Sequence, residues 1–179
     1  MSDQRILDLV SAVSNQDGVL EDPTSPQSRA RDWLLTNTNR AIYSNHRLLQ
    51  RYAMATFYYA TNGDRSWLNN TGWLSDDDEC TTWHQITPEP TVCDDAGQLV
   101  YLRPSVFLDG TLPPETALLS KLRTVLLPGN LLRGPIPSAL AARLTDLRLL
   151  NVFGNDLSGT IPTEWGAGGN LTSLDLSTR

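Results

Sequence analysis

Ile6, Leu7, Leu9, Val10 and Val13 recur at helical spacing, which predicts a short amphipathic helix over Asp3 to Val13. Gly18 and the cluster from Pro23 to Pro26 separate it from a second helix. Ser25 opens that helix as N-cap with Pro26 in the first turn, where a missing N–H costs nothing. It should run to about Leu35 and bury Ala30, Trp33 and Leu34, and Asn37 to Asn39 reads as a loop. The best helical pattern spans about Ser44 to Thr61, where Leu49, Tyr52, Ala53, Thr56, Phe57 and Ala60 form one face. Thr61-Asn62-Gly63-Asp64 ends it, with Asn62 or Gly63 as the left-handed cap. The aromatic residues around it (Tyr52, Phe57, Tyr58, Tyr59, Trp67, Trp73) read as core packing rather than as a carbohydrate platform.

From Leu122 the pattern changes to Leu-x-x-Leu-x-Leu, and it repeats. Leu122, Val125, Leu127, Asn130, Leu132, Gly134 and Ile136-Pro137 superpose on Leu147, Leu150, Val152, Asn155, Leu157, Gly159 and Ile161-Pro162. A third copy starts at Leu171, with Leu174 and Leu176 in register, so the copies begin 25 and then 24 residues apart. Alternating apolar side chains line the inner side of a short strand, and parallel strands from successive turns stack over one core. One coil cannot bury its apolar edge alone, so neighbours supply the stability. An earlier half-copy is visible at Leu108-Asp109-Gly110-Thr111-Leu112-Pro113, while its upstream half, Leu99 to Val106, is about one residue out of register.

The Leu-x-Gly-x-Ile-Pro ending resembles the plant-type leucine-rich repeat. The resemblance implies an α/β fold: a right-handed solenoid of about three coils with parallel strands, preceded by an N-terminal helical cap. It also implies a flanking short strand in each coil and an asparagine ladder in which Asn130 and Asn155 bond to backbone groups of the turn. The segments expected are 1–75, helical; 76–98, a cysteine-containing cap; and 99–179, the repeats, with the last one cut short.

Cys80 and Cys93 are the only cysteines. Taken alone they could be two free thiols or half of a metal site, although His84 is the one nearby histidine and a fourth ligand is missing. Cys80-x-x-Trp83-x-x-Ile86 up to Cys93-Asp94 resembles the N-terminal cap of plant-type leucine-rich repeats, departing from it at Gln85 and in the longer insert from Thr87 to Val92. In that family the two cysteines form a disulfide and the tryptophan covers the first coil, and closing such a loop adds roughly 3 kcal/mol by chain entropy. Upstream, Ser25-Pro26-Gln27, Asp32-Trp33-Leu34, Gln50-Arg51-Tyr52 and Thr61-Asn62-Gly63-Asp64 with Trp67 resemble the juxtamembrane block of algal leucine-rich-repeat receptor-like proteins.

A net charge of −6 argues against nucleic acid or an anionic membrane as partner. Leu48 to Ala60 is too short to span a bilayer, and Asp3 and Asp8 break up any signal-like apolar run at the start. Asn69-Asn70-Thr71 and Asn170-Leu171-Thr172 fit the glycosylation sequon, and with the disulfide they favour an extracellular or membrane-associated ectodomain. The missing export signal and the short last repeat suggest a fragment of a longer receptor-like protein.

Catalytic motifs are not found: no Gly-x-Ser-x-Gly elbow, no His-Glu-x-x-His and no phosphate loop. His46 and His84 read as structural, Gly166 to Gly169 as an inter-coil loop, and Asp76 to Glu79 as a solvated loop rather than a calcium site. No enzyme activity, cofactor or metal is expected. The outward strand positions Thr124, Leu126, Leu149, Asn151, Ser173 and Asp175, with Pro128, Phe153 and Ser177, form the candidate ligand-binding face. They are either a recognition surface or simply solvated, since three coils fall below the roughly 800 Å² per partner of a standard interface. The sequence reading is a non-catalytic binding module of a receptor-like or cell-surface protein that takes a protein, peptide or glycan ligand. Its rivals are a secreted inhibitor-like or structural repeat protein, and the sensor part of a receptor kinase.

Overall fold

The computed structural model of the chain describes residues 3–14, 18–83, 92–104, 106–166 and 170–177. Three helices come first: α1 (Asp3–Val13), α2 (Pro26–Thr36) and α3 (Asn45–Ala60). Ser25 Oγ accepts from the Ser28 N–H at 3.0 Å and Ser44 Oγ from the Arg47 N–H at 3.2 Å. Each serine satisfies a donor that a first helical turn leaves without a partner. α3 stops where Asn62 turns left-handed at φ 54°. There the Gly63 N–H reaches back to the Tyr58 carbonyl at 2.8 Å.

The periodicity predicts one buried face for α3, whereas every residue from Gln50 to Tyr58 is buried. The helix is a layer shared by two cores. Tyr52 and Ala55 pack with Ile6, Val10, Ala30 and Leu34, while Ala53, Met54, Phe57 and Tyr58 pack with Leu99, Leu102 and Leu108. Tyr58, Trp67, Trp73 and Trp83 pack edge to face, tilted or, for Tyr58 on Trp73, stacked in the second core, with centroids 4.7 to 5.9 Å apart.

The remainder forms two parallel ladders. β1 (Tyr101–Leu102), β3 (Thr124–Leu126), β5 (Leu149–Asn151) and β7 (Ser173–Asp175) make a four-stranded sheet in that order. β2 (Asp109–Gly110), β4 (Leu131–Gly134) and β6 (Asp156–Leu157) make a second, and the short helix α4 (Ser138–Arg143) follows β4. In the first sheet Thr124 pairs with Leu149 and Leu149 with Ser173, so Val125, Leu150 and Leu174 share one row. Val125 and Leu150 are buried, and Leu174, on the edge strand, is 36% exposed. The second ladder departs from the repeat alignment: Gly134 pairs with Leu157, where the alignment sets Leu132 against Leu157. A shift of two residues keeps each side chain on its own face, whereas a shift of one would turn the row inside out. Leu132 therefore stays buried and Arg133 stays outside.

Asn130 and Asn155 link the coils. Asn130 Oδ1 accepts from the Leu108 N–H at 3.0 Å and Asn155 Oδ1 from the Leu132 N–H at 3.0 Å. Asn155 Nδ2 donates to the Leu127 and Val152 carbonyls, both at 2.8 Å. The helices join the repeats at β2, where the Asp109 and Thr111 N–H groups donate to the Thr61 and Ala60 carbonyls at 3.1 and 3.2 Å. These bonds satisfy carbonyls that the end of α3 leaves open. A Cβ on Gly110 would lie 2.1 Å from the Ala60 oxygen, so only glycine lets the two backbones approach.

One expectation is corrected here. Asp76, Asp77 and Asp78 are exposed, but Glu79 at the end of the same acidic run is completely buried. It meets Arg51 at 2.7 Å and Arg47 at 2.9 Å.

A second polar tie holds the helices together: the Tyr52 hydroxyl donates to Ser14 Oγ at 2.9 Å. Burial pushes the Tyr52 phenol up to about 12. The preference for the protonated phenol is complete below the unfolded value near 10 and is lost as pH rises through about 12, a span worth roughly 3 kcal/mol. Urea midpoints between pH 9 and 12 should therefore fall more steeply for the wild-type chain than for Tyr52→Phe. Parallel curves would place the phenol in water.

Candidate recognition surface

The first sheet presents the outward positions as rows. Thr124, Leu149 and Ser173 stand side by side, as do Leu126, Asn151 and Asp175. Ser173 is exposed and the other five are half-buried. At the end of the strands, Asn151 Oδ1 accepts from the Phe153 N–H at 3.0 Å, which holds the turn, and Phe153 is 40% exposed. The Gly129 N–H donates to the Phe153 carbonyl at 2.7 Å and the Gly154 N–H to the Ser177 carbonyl at 2.8 Å. Pro128, Phe153 and Ser177 thus line one border of the sheet. Asp175 is held by Ser177, whose Oγ donates to it at 2.6 Å.

Sequence reasoning overlooked the cations here. Arg123 and Arg148 are exposed and immediately precede β3 and β5, and the Arg148 N–H donates to the Arg123 carbonyl at 2.9 Å. Arg103, just after β1, is exposed too, whereas Tyr101 is buried although it shares the row of Thr124. Among the described residues none of the three arginines forms an ion pair. The repeat alignment itself sets Arg123 on Arg148, so the signal was present. Like charges on neighbouring strands repel, and in a chain of net charge −6 they make a local positive strip.

Phe107 was also missed. Its φ is 64° and it is 53% exposed, an uncommon backbone state for a bulky residue. Leu131 and Val106 are exposed beside it, and the Leu68 N–H donates to the Val106 carbonyl at 3.1 Å. No local sequence signal marks this strip.

Cys80 and Cys93 are joined in a disulfide, and Trp83 is completely buried. Asn69 and Asn170 are both exposed, with Asn170 Nδ2 donating to the Thr145 carbonyl at 2.9 Å. His46 is exposed in the first turn of α3; His84, Gln85, Ile86, most of the insert after it, and Ala167, Gly168 and Gly169 lie outside the described residues. Among the described residues no group of three or more histidine, cysteine, aspartate or glutamate side chains is placed to hold a metal ion. Among them, too, no helix is long and apolar enough to cross a membrane.

Neither a protein-family model nor a curated protein matches the chain. Solved structures do. A plant ice-binding protein aligns at 26% identity and a TM-score of 0.56 over 70% of this chain and 39% of its own. The ectodomain of the receptor kinase SOBIR1 from Arabidopsis thaliana aligns at 32% identity and a TM-score of 0.39, over 45% of this chain and 42% of its own. The plant peptide hormone receptor RGFR1, in complex with RGF2, aligns at 33% identity and 0.42, over 45% and 13%. The chain spans less than half the length of each. The two receptor alignments are too partial to carry an argument, whereas the first extends over most of the chain. With its own in-register repeats and two parallel ladders, the chain has a mixed α/β fold similar to that of the ice-binding protein.

Proposed function

We propose that the chain is a non-catalytic recognition module of a leucine-rich-repeat receptor-like or cell-surface protein, docking a peptide or protein segment on the β1-β3-β5-β7 sheet. The observation that carries this reading is the sheet's outward surface. Its in-register rows end on exposed Phe153 and are flanked by Arg123 and Arg148, which no carboxylate among the described residues pairs. An exposed aromatic at one end of the strands and arginines at the other are residue types that recognition hot spots favour. In this reading residues 99–179 form right-handed coils, and residues 1–75 with the cysteine loop 76–98 cover the first of them. The packing of α3 on Leu99, Leu102 and Leu108 supports that cover. The Cys80–Cys93 disulfide and the exposed Asn69 and Asn170, as glycan acceptors, support an extracellular setting.

The test is a set of peptides selected from a random displayed library against the whole chain. Phe153→Ala and Arg148→Ala should each weaken the selected peptides by about thirtyfold or more, the roughly 2 kcal/mol at which a hot spot begins. Arg133→Ala, on the second ladder, should change binding less than about twofold. Peptides that respond to Arg133 and ignore Phe153 and Arg148 place recognition elsewhere.

A further inference from the structure

A cleft of about 240 Å³ opens where the end of α1 meets α4 and the 3₁₀ turn Pro114–Leu118. Ala12, Val13, Ala117 and Leu118 line it, together with two charged residues, Glu115 and Arg143. Glu115 is only 5% exposed. Its Oε1 accepts from Ser14 Oγ at 2.6 Å and its Oε2 from Gln27 Nε2 at 3.1 Å. Both donors are neutral. Among the described residues no ion pair includes Glu115 or Arg143.

The same fold shows how it treats a buried carboxylate that has only a structural role. Glu79 is matched by Arg51 and Arg47. Glu115 has hydrogen bonds and no counter-charge, and an unmatched buried charge is costly. A carboxylate offers about four acceptor positions, and two neutral donors leave about half of them open. We propose that this cleft binds a small ammonium compound. The ammonium donates to Glu115, and an anionic end, where the compound has one, turns to Arg143. An α-amino acid satisfies both charges and suits a cavity smaller than the roughly 300 Å³ at which drug-sized pockets begin. The site stands apart from the β1-β3-β5-β7 sheet and does not depend on the role proposed for that sheet.

The test uses the full chain and follows the methyl resonances of Ala12 and Ala117 during titration. The probes are L-alanine, ethylammonium chloride, sodium propionate and 1-propanol, each to about 20 mM. The two amines should bind saturably, and propionate and propanol should not. Glu115→Gln should weaken both amines by about tenfold, the scale of a hydrogen bond to a charged group. Arg143→Gln should weaken L-alanine and leave ethylammonium unchanged. Ala139 also lines the cleft, so Ala139→Leu narrows it without replacing the carboxylate and should abolish both, which keeps the test valid if Glu115→Gln fails to fold. Absence of amine binding to the wild-type chain, or equal binding by Ala139→Leu, overturns the proposal and leaves Glu115 as a hydrogen-bonded tie between helices.

Discussion

Glu79→Leu should cost the folded chain about 3–5 kcal/mol, because it strands a buried cation. Arg51 is completely buried in the middle of α3. Its guanidinium donates to Glu79 at 2.7 Å, to the Asp77 carbonyl at 2.8 Å and to the Ser75 carbonyl at 2.6 Å. It also lies over the Trp83 ring at 4.7 Å and the Tyr43 ring at 5.2 Å. Glu79 supplies the charge that balances it and also accepts from Gln50 Nε2 at 2.9 Å. Arg47 keeps Asp78 as a second partner at 2.9 Å, so the loss falls on Arg51. Arg51→Met combined with Glu79→Leu should recover most of the loss, since a buried pair replaced by apolar groups is often near neutral. Recovery stays incomplete because the Ser75 and Asp77 carbonyls lose their donor. Urea unfolding of the single and double variants measures this, and a Glu79→Leu chain within about 1 kcal/mol of wild type would show that Arg51 is reached by water.

This network explains what the sequence could not display. Helix ends were legible because their chemistry is local: Ser25 caps a donor three residues ahead and Asn62 makes its own turn, while Ser44 was read as the start of α3 without its cap. The first ladder was legible because its register repeats the sequence period, which sets Val125 on Leu150. Glu79 was misread because its partner lies 28 residues upstream, and an acidic run gives no local sign of which member is buried. The all-round burial of α3 was hidden for the same reason, since periodicity reports one neighbour and this helix has two. The disulfide came with the family resemblance, not with the spacing of the cysteines. On the candidate surface, Asn151 was legible as an outward strand position, whereas Phe153, read as one, lies in the turn after β5. Arg123 and Arg148 were overlooked although the alignment superposes them, because they precede the strands and fall outside the alternation within them. The two-residue shift of the second ladder could not be read, because a repeat alignment reports equivalent positions and not which residues pair across the ladder.

Leu150→Asp should remove the cooperative unfolding transition altogether. Leu150 is 1% exposed and pairs with Val125 on one side and Leu174 on the other, so it sits in the row that successive coils share. Loss of its burial costs about 2–5 kcal/mol by itself. An aspartate there meets only apolar neighbours, and forcing it to stay charged or to take up a proton adds several kcal/mol more. The sum is comparable to the roughly 5–15 kcal/mol that holds an ordinary domain together. Leu149→Asp makes the same chemical change one residue away, on the water side of the same strand, and should cost only about 1 kcal/mol. Strand register alone separates the two outcomes, because alternate residues face opposite sides. Circular dichroism during urea titration reads both variants. Two variants that unfold alike, whether both early or both late, would mean that Leu149 and Leu150 do not lie on opposite faces of a strand, and the core row would have to be redrawn.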